Sequence, residues 1–485
     1  MAESAPASRP NIVLFLVDDM GWQDTSEPFW TQPTPFNGRY RTPNMERLAR
    51  KGMKFTQAYA CAVCSPTRVS LLTGLNAARH RVTNWTLRKD KAQDAPSAIL
   101  EYPDWNVNGI SPEPGDPRAV HARCLPAHLQ EAGYRTIHVG KAHFGATGTP
   151  GADPLNLGFD VNVAGHAAGG PGSYLSEQGF SARWRGGEDV WDVPGLEKYH
   201  DSGVFLTEAL TREANEHMRE AVDDGVPFFL YMSHYAVHVP FAEDPRFIKN
   251  YGDLPPQEAM YAALIEGMDR SLGDILDRLD TLGVNDDTVV LFMSDNGGLS
   301  AHGRDGEPHT HNRPLSSGKG SIHEGGIREP MLVRWPGSVQ PDSVCDDYLI
   351  IEDFFVSILE IAGCAAAPES DGRSFVPLLQ GGAGDPSRPL FWHYPNNWGP
   401  NGPGIGAYSA VRQGDWKLVY YHNPERAEPY ELFNIARDIG ETHNLAEAEP
   451  QVRARLAAVL RDFLRQTAAQ MPTDRRSGQP VPLPT

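Results

Sequence analysis

The stretch NIVLFLVDD, residues 11–19, is an apolar run that ends abruptly at two aspartates. Short, mostly apolar runs recur at Arg135–Val139, Phe228–Ser233, Thr288–Met293 and Met331–Trp335, with helical patterns between them. Such runs indicate strands buried on both faces, and strands that alternate with helices are typical of a parallel sheet. The sequence therefore predicts an α/β fold in which a large, mostly parallel sheet is sandwiched by helices.

The composition and the pattern of predicted elements change after residue 380. Residues 381–389 are polar and contain glycine and proline, as linkers do. Short strand patterns and a final helical pattern follow, at Tyr408–Arg412, Trp416–Tyr421 and residues 451–466. We expect two domains, an α/β domain over residues 1–380 and a smaller α+β domain with an antiparallel sheet over residues 381–485.

The composition excludes several classes of function. The chain has 485 residues, of which 40% are hydrophobic, and its formal net charge of -19 argues against binding nucleic acid or an anionic membrane surface. No apolar run approaches the roughly 20 residues that span a bilayer. The first residues show no basic region and no hydrophobic region of a signal peptide. We expect a periplasmic or extracellular protein if a signal has been removed, and a cytoplasmic protein otherwise.

A second stretch, ACAVCSPTRVSLLTG at residues 60–74, places a cysteine at the start of a predicted helix. Pro66 suits the first turn of a helix, and Ser65 is a natural N-cap. Cys64 then lies beside unpaired backbone N–H groups, which favour anions. Two other interpretations remain open: a buried structural thiol, and a redox or metal-binding pair with Cys61 in a C-x-x-C pattern.

Acidic and amide side chains directly follow two of the predicted strands. Asp18 and Asp19 follow the first strand, and Asp295 and Asn296 follow a later one. Because sites gather beyond the carboxyl ends of parallel strands, we expect these side chains to lie together. Their oxygen atoms suit a hard cation, Ca²⁺ or alternatively Mg²⁺, better than zinc. The alternative is that each pair caps a turn or a helix.

Basic side chains occur in three further motifs. Lys141 and His143 lie in GKAHFG, His238 lies in SHYAVHVPF, and Lys319 lies in SSGKGSIHEGGIREP. In an acidic protein, these side chains together predict a local cationic pocket that suits a small anionic ester.

Seven motifs in this order cover nearly the whole chain: NIVLFLVDDMG, CSPTRVSLLTG, GYRTIHVGKAHFG, FMSDNGG, GKGSIHEGGIREP, DGRSFVPLL and GDWKLV with YELFN. The series resembles the type I, formylglycine-dependent sulfatases of the alkaline phosphatase superfamily. The family's usual GKWHLG stands here as GKAHFG, with changes at Ala142 and Phe144 that leave Lys141 and His143 in place.

The resemblance implies a sulfuric ester hydrolase in which Cys64 is oxidised to formylglycine, whose hydrate is the nucleophile. A formylglycine-generating enzyme is then a required partner during maturation. The resemblance also implies a bound Ca²⁺ with the modified Cys64 as one ligand and four further ligands, Asp18, Asp19, Asp295 and Asn296.

The resemblance assigns roles to the basic residues as well. Arg68, Lys141 and His143 would hold and activate the aldehyde hydrate. His238 and Lys319 would bind sulfate oxygens and stabilise or protonate the leaving alkoxide.

The substrate is indicated by three segments with aromatic and polar side chains. His80–Asp90 and Gly165–Tyr174 resemble segments of bacterial sulfatases that act on polysaccharides, and Phe391–Gly399 carries aromatic groups that suit sugar rings. We expect a sulfated carbohydrate, with three residues that contact the sugar: Arg88, Asp90 and His393. The alternatives are an arylsulfatase, a phosphonate or phosphodiester hydrolase of the same superfamily, and an inactive glycan-binding protein on a sulfatase fold.

Overall fold

The computed structural model describes residues 9–302, 304–364 and 370–485. The strands of the first part of the chain are β1 (Asn11–Val17), β2 (Met53–Tyr59), β3 (Leu100–Glu101), β4 (Ile110–Ser111), β5 (Val120–His121), β6 (Arg135–Gly140), β7 (Val161–Val163), β8 (Phe228–Ser233) and β9 (Thr288–Ser294). Those of the second part are β10 (Arg328–Arg334), β11 (Ser343–Cys345), β12 (Leu349–Ile350), β13 (Pro389–Tyr394), β14 (Tyr408–Gln413), β15 (Trp416–Tyr421), β16 (Tyr430–Asn434), β17 (Thr473–Asp474) and β18 (Gln479–Pro480).

The helices lie between these strands. They are α1 (Pro43–Lys51), α2 (Cys64–Thr73), α3 (Ala77–His80), α4 (Leu125–Glu131), α5 (Leu206–Asp223), α6 (Pro256–Thr281), α7 (Glu324–Ile327), α8 (Glu352–Ile361), α9 (Val376–Leu379) and α10 (Pro450–Gln466). Short 3₁₀ helices lie in the loops, and Asp189–Trp191 is one of them. No helix in the described part of the chain combines the length and the apolar character that a membrane crossing needs.

The predicted large, mostly parallel sheet is confirmed. Its strands lie in the order β11, β2, β10, β9, β1, β8, β6 and β7, and β12 also pairs with β2. Every pairing is parallel except the two that β10 makes, with β2 and with β9. Ile12 and Leu14 pack into one hydrophobic cluster, and Val13 and Phe15 pack into another. The sheet is therefore buried on both faces, which explains why its central strands lack polar alternation.

The register of the sheet brings the ends of several strands to one edge. Val17 at the end of β1 lies opposite Ser294 at the end of β9, so Asp18 and Asp295 leave the sheet side by side. Strand β6 is aligned with β8 on the other side of β1, and Lys141 follows it directly. This edge is the floor of the candidate site.

The predicted antiparallel C-terminal sheet is also confirmed. Its order is β13, β14, β15, β16, and α10 packs against it through a separate hydrophobic cluster. The boundary that we propose between residues 380 and 381 falls between α9 and β13.

Buried ion pairs join the C-terminal sheet to the segment that follows Lys319. Lys417 Nζ on β15 donates to Glu324 Oε1 at 2.8 Å and to the Ile322 carbonyl at 3.0 Å, and it also lies 2.6 Å from Glu441 Oε1. All three charged side chains are buried. Because a buried charge without its partner costs several kcal/mol, these contacts hold this segment firmly in place.

Candidate active site

Cys64 lies at the start of a helix, as predicted, but the cap differs from the prediction. Helix α2 begins at Cys64 itself, and Val63 is the N-cap residue with an extended backbone. The prediction of Ser65 as N-cap is wrong, because Ser65 Oγ accepts a hydrogen bond from the backbone N–H of Thr86 at 3.1 Å instead. This bond ties the loop that carries Trp85 to the helix that carries Cys64.

Acidic side chains surround Cys64. One ligand atom from each of Asp18, Asp19, Cys64 and Asp295 lies within 4.8 Å of all the others, and the four residues are buried. Within the described residues, Asp18 Oδ2 and Asn296 Oδ1 are buried without a hydrogen-bond partner. Buried oxygen atoms that lack a donor are costly, and a hard cation would satisfy them. The donor set therefore fits Ca²⁺ or Mg²⁺, and Cys61 is not part of it.

Buried arginine and lysine side chains also contact this cluster. Each of the three carboxylates binds one of them: Arg68 Nε donates to Asp295 Oδ2 at 2.9 Å, Lys141 Nζ to Asp18 Oδ1 at 2.8 Å, and Lys319 Nζ to Asp19 Oδ2 at 2.9 Å. Arg68 is held further by the Ser233 hydroxyl at 2.6 Å. The predicted cationic pocket is thus a set of ion pairs that leaves little positive charge unpaired.

The carboxylates of the cluster differ in their affinity for protons. Burial raises the pKa of Asp18 to about 8, although Lys141 opposes the effect. Burial also acts on Asp19, but Lys319 and His238 outweigh it and hold the pKa of Asp19 below its usual range. A divalent cation in the cluster would favour the ionised form of every carboxylate there.

Two histidines lie beside Cys64 with one ring nitrogen engaged by the backbone. His143 Nε2 donates to the Thr86 carbonyl at 2.8 Å, and His238 Nδ1 donates to the Val239 carbonyl at 2.7 Å. His238 Nε2 lies 3.7 Å from Asp19 Oδ2. Burial, assisted by Lys319, lowers the pKa of His238 to about 3, and burial lowers the pKa of His143 well below its usual range. Each ring is therefore neutral and has one nitrogen free to accept a proton.

A cavity of about 210 Å³ opens above this floor. Asp19, Cys64, His143, His238 and Lys319 form its polar end. Its walls are mostly apolar and aromatic, and they comprise Val63, Trp85, Trp191, Val239, Leu299, His302 and Trp398 together with Gly169. A polar end below aromatic walls suits a ligand with one anionic group and an apolar face.

His393 does not lie in this cavity, which corrects our expectation that it contacts a sugar. Its side chain is 3% exposed on β13. Nδ1 is hydrogen-bonded to Ser409 Oγ at 2.9 Å, and Nε2 is hydrogen-bonded to the Gln470 carbonyl at 3.0 Å. Both ring nitrogens therefore form hydrogen bonds with other residues of the C-terminal part of the chain, and neither is available to a substrate.

Arg88 and Asp90 are also absent from the cavity lining. Arg88 forms an ion pair with Glu188, which precedes the 3₁₀ helix that ends at Trp191. The Asp90 carboxylate accepts a hydrogen bond from Asn108 Nδ2 at 2.9 Å, on the far side of β3 along the chain. The structure gives both side chains partners within the protein, and a sugar contact by either residue stays a prediction.

The segments singled out in the sequence do reach the cavity, but through other residues. Trp85 comes from residues 80–90, Gly169 from residues 165–174 and Trp398 from residues 391–399. Sequence reasoning missed Trp191 and Leu299, which lie in no recognised motif. An apolar side chain in a long loop shows no periodicity, so only the folded chain shows which wall it forms.

Family models and known relatives match this chain over most of its length. The family model described as Sulfatase matches residues 10–364, and the model described as N-sulphoglucosamine sulphohydrolase, C-terminal, matches residues 318–470. A sulfatase of Formosa agariphila is 29% identical, and the match covers 91% of this chain and 85% of the relative. Human N-acetylgalactosamine-6-sulfatase is 30% identical, and the match covers 95% of this chain and 86% of the human protein.

The solved structures support the same fold. The crystal structure of Ps i-CgsB in complex with k-i-k-neocarrahexaose aligns with a TM-score of 0.73 at 24% identity, and the alignment covers 95% of this chain and 93% of that one. The match of this chain to the Sulfatase family model, together with its large sheet and its C-terminal sheet, shows that the protein belongs to the sulfatase family. It is a sulfuric ester hydrolase.

Proposed function

We propose that this protein removes sulfate from a sulfated carbohydrate, with formylglycine made from Cys64 as nucleophile and one Ca²⁺ beside it. The observation that carries the proposal is the position of Cys64, which lies among buried carboxylates at the polar end of a cavity with tryptophan walls. The polar end suits the sulfate, and the aromatic walls suit a sugar ring. A formylglycine-generating enzyme is then the partner required for maturation.

The acidic cluster would hold the cation. Asp18, Asp19, Asp295 and Asn296 would be its ligands, together with residue 64, and Mg²⁺ is the alternative ion. Bound there, the ion would neutralise the carboxylates and polarise the sulfate group, while the formylglycine hydrate would supply an oxygen nucleophile. The unpartnered Oδ atoms of Asp18 and Asn296 support this placement.

The buried basic residues would orient the nucleophile. Arg68 holds Asp295, and Lys141 holds Asp18, both by direct ion pairs. His143 donates from Nε2 to the backbone, which leaves Nδ1 to accept a proton from a hydroxyl group on residue 64.

Two residues at the cavity surface would act on the substrate. Lys319 would place its ammonium group against the sulfate oxygens. His238 would carry a proton on Nε2 and pass it to the leaving oxygen, because Nδ1 is already engaged by Val239. In the free protein the imidazole is neutral, and an anionic sulfate bound beside it would favour its protonated form.

The test is a comparison of kcat/KM for esters that differ in one group. We expect the matured, Ca²⁺-loaded protein to prefer a monosulfated sugar over nitrophenyl sulfate, phenylphosphonate monoesters and a phosphodiester. A higher kcat/KM for nitrophenyl sulfate would favour an arylsulfatase, and a higher value for the phosphorus esters would favour the phosphonate or phosphodiester hydrolase. Binding of sulfated sugars without any turnover would indicate an inactive glycan-binding protein, and each of these three results would contradict the proposal.

A further inference from the structure

Three tryptophans are among the residues that form the walls of the cavity. Trp85, Trp191 and Trp398 come from three separate segments, and each side chain is half-buried. Trp398 packs on Gly320, where an added Cβ would lie 2.2 Å from the indole ring. Because Gly320 follows Lys319 directly, the aromatic wall begins where the sulfate-binding end stops.

This wall carries almost no positive charge. Among the described residues that line the cavity, Lys319 is the only lysine or arginine, and its ammonium group is already paired with Asp19. The residues just before Trp191 are acidic instead: Asp189 lies exposed, and Glu188, also exposed, is paired with Arg88. A carboxylate or a second sulfate on the substrate would find no lysine or arginine in the wall of the cavity and would meet the like charge of Asp189.

The size of the cavity and the charge of the whole chain also disfavour a large or polyanionic substrate. A volume of about 210 Å³ is below the roughly 300–1,000 Å³ of pockets that enclose drug-sized ligands, so it accommodates one ring with its sulfate. The formal net charge of -19 disfavours the approach of a polyanionic chain.

We propose that the cavity selects the sulfate ester of a single uncharged sugar ring, and that Trp191 is a specificity-determining residue that disfavours rings with a further anionic group. The proposal rests on the proposed function, because it concerns the alcohol part of the same substrate. It also gives Arg88 a positioning role. The ion pair of Arg88 with Glu188 joins the loop that carries Trp85 to the 3₁₀ helix that carries Trp191.

The first experiment uses the matured, Ca²⁺-loaded protein with galactose monosulfates that carry the ester at each hydroxyl position in turn. The best of them is then compared with the same sugar carrying one additional sulfate. We expect kcat/KM to fall by about tenfold or more with the second sulfate. Equal or faster hydrolysis of the disulfated sugar would overturn the inference and leave the proposed function intact. Turnover of nitrophenyl sulfate without turnover of any sugar sulfate would instead overturn the proposed function.

The second experiment tests Trp191 itself. Trp191→Ala should lower kcat/KM for the best monosulfated sugar by about tenfold, mainly through KM, because an aromatic contact is lost. Trp191→Phe should recover most of this loss. Inhibition by inorganic sulfate, which contacts only the polar end, should stay unchanged in both variants. Trp191→Arg should shift the preference toward the disulfated sugar.

Trp184 provides a matched control. Its side chain is 53% exposed, it lies in the 3₁₀ helix Arg183–Arg185 that precedes the one carrying Trp191, and it does not line the cavity. Trp184→Ala should therefore leave kcat/KM for every substrate unchanged. An equal loss in the Trp184 and Trp191 variants, or weaker inhibition by sulfate in Trp191→Ala, would show a general structural effect and overturn the role of Trp191.

Discussion

Replacing Asp295 with asparagine is expected to lower kcat by about a thousandfold or more, since the lost charge stabilisation amounts to several kcal/mol. Asparagine keeps the shape of the side chain but removes the charge that Arg68 and the proposed cation share. The protein should remain folded, because Arg68 keeps its bonds to the Ser233 hydroxyl and the Lys141 carbonyl. The measurement is kcat together with the Ca²⁺ content per chain by elemental analysis.

Asp353 is a suitable control for this variant. It is a fully buried aspartate that binds Arg388 through both oxygens at 2.6 and 2.8 Å, outside the cavity. Asp353→Asn should lower the free energy of unfolding while kcat per folded chain stays at the wild-type value. Wild-type kcat or a full Ca²⁺ content in Asp295→Asn would contradict the assignment of the metal ligands.

The second large effect is expected for His238. His238→Ala should lower kcat for a sugar sulfate by about 10²–10⁴-fold, the usual contribution of a general acid. The loss should be much smaller for nitrophenyl sulfate, because nitrophenolate leaves readily without a proton. Parallel measurements on the two substrates separate proton transfer from sulfate binding.

His393→Ala provides the comparison with another buried histidine. Because its ring bonds Ser409 and Gln470, we expect a lower free energy of unfolding and no change in the ratio of kcat between the two substrates. Equal losses on both substrates in His238→Ala would refute its role as the acid. A change of sugar selectivity in His393→Ala would restore the role that the sequence suggested for it.

The floor of the site could be predicted from sequence because it depends on strand ends. A buried parallel strand must deliver the residue that follows it to the carboxyl edge, so Asp18 and Asp295 were expected to meet. The structure places their side chains within one cluster with Cys64. The start of helix α2 was predicted less well, because Ser65 bonds a distant loop through Thr86, a contact that local sequence does not contain.

The walls of the site could not be predicted in the same way. His393 has the residue type expected at a sugar site, yet its burial depends on the pairing of β13 with β14 and on a segment 77 residues further along the chain. Trp191 lies in a long loop without periodicity, just after Glu188, which is paired with Arg88 from 100 residues earlier in the chain. Such long-range contacts decide which side chains face the cavity, and no local pattern encodes them.

The central claim is that Cys64 becomes formylglycine, and the mass of one tryptic peptide tests it most directly. Cleavage after Lys54 and Arg68 releases residues 55–68, which contain both Cys61 and Cys64. Cys61 is therefore an internal control for alkylation within the same peptide. In active protein, we predict that residue 64 has lost sulfur and two hydrogens and gained one oxygen, while Cys61 carries the alkyl group. An alkylated thiol at Cys64 in fully active protein would contradict the account.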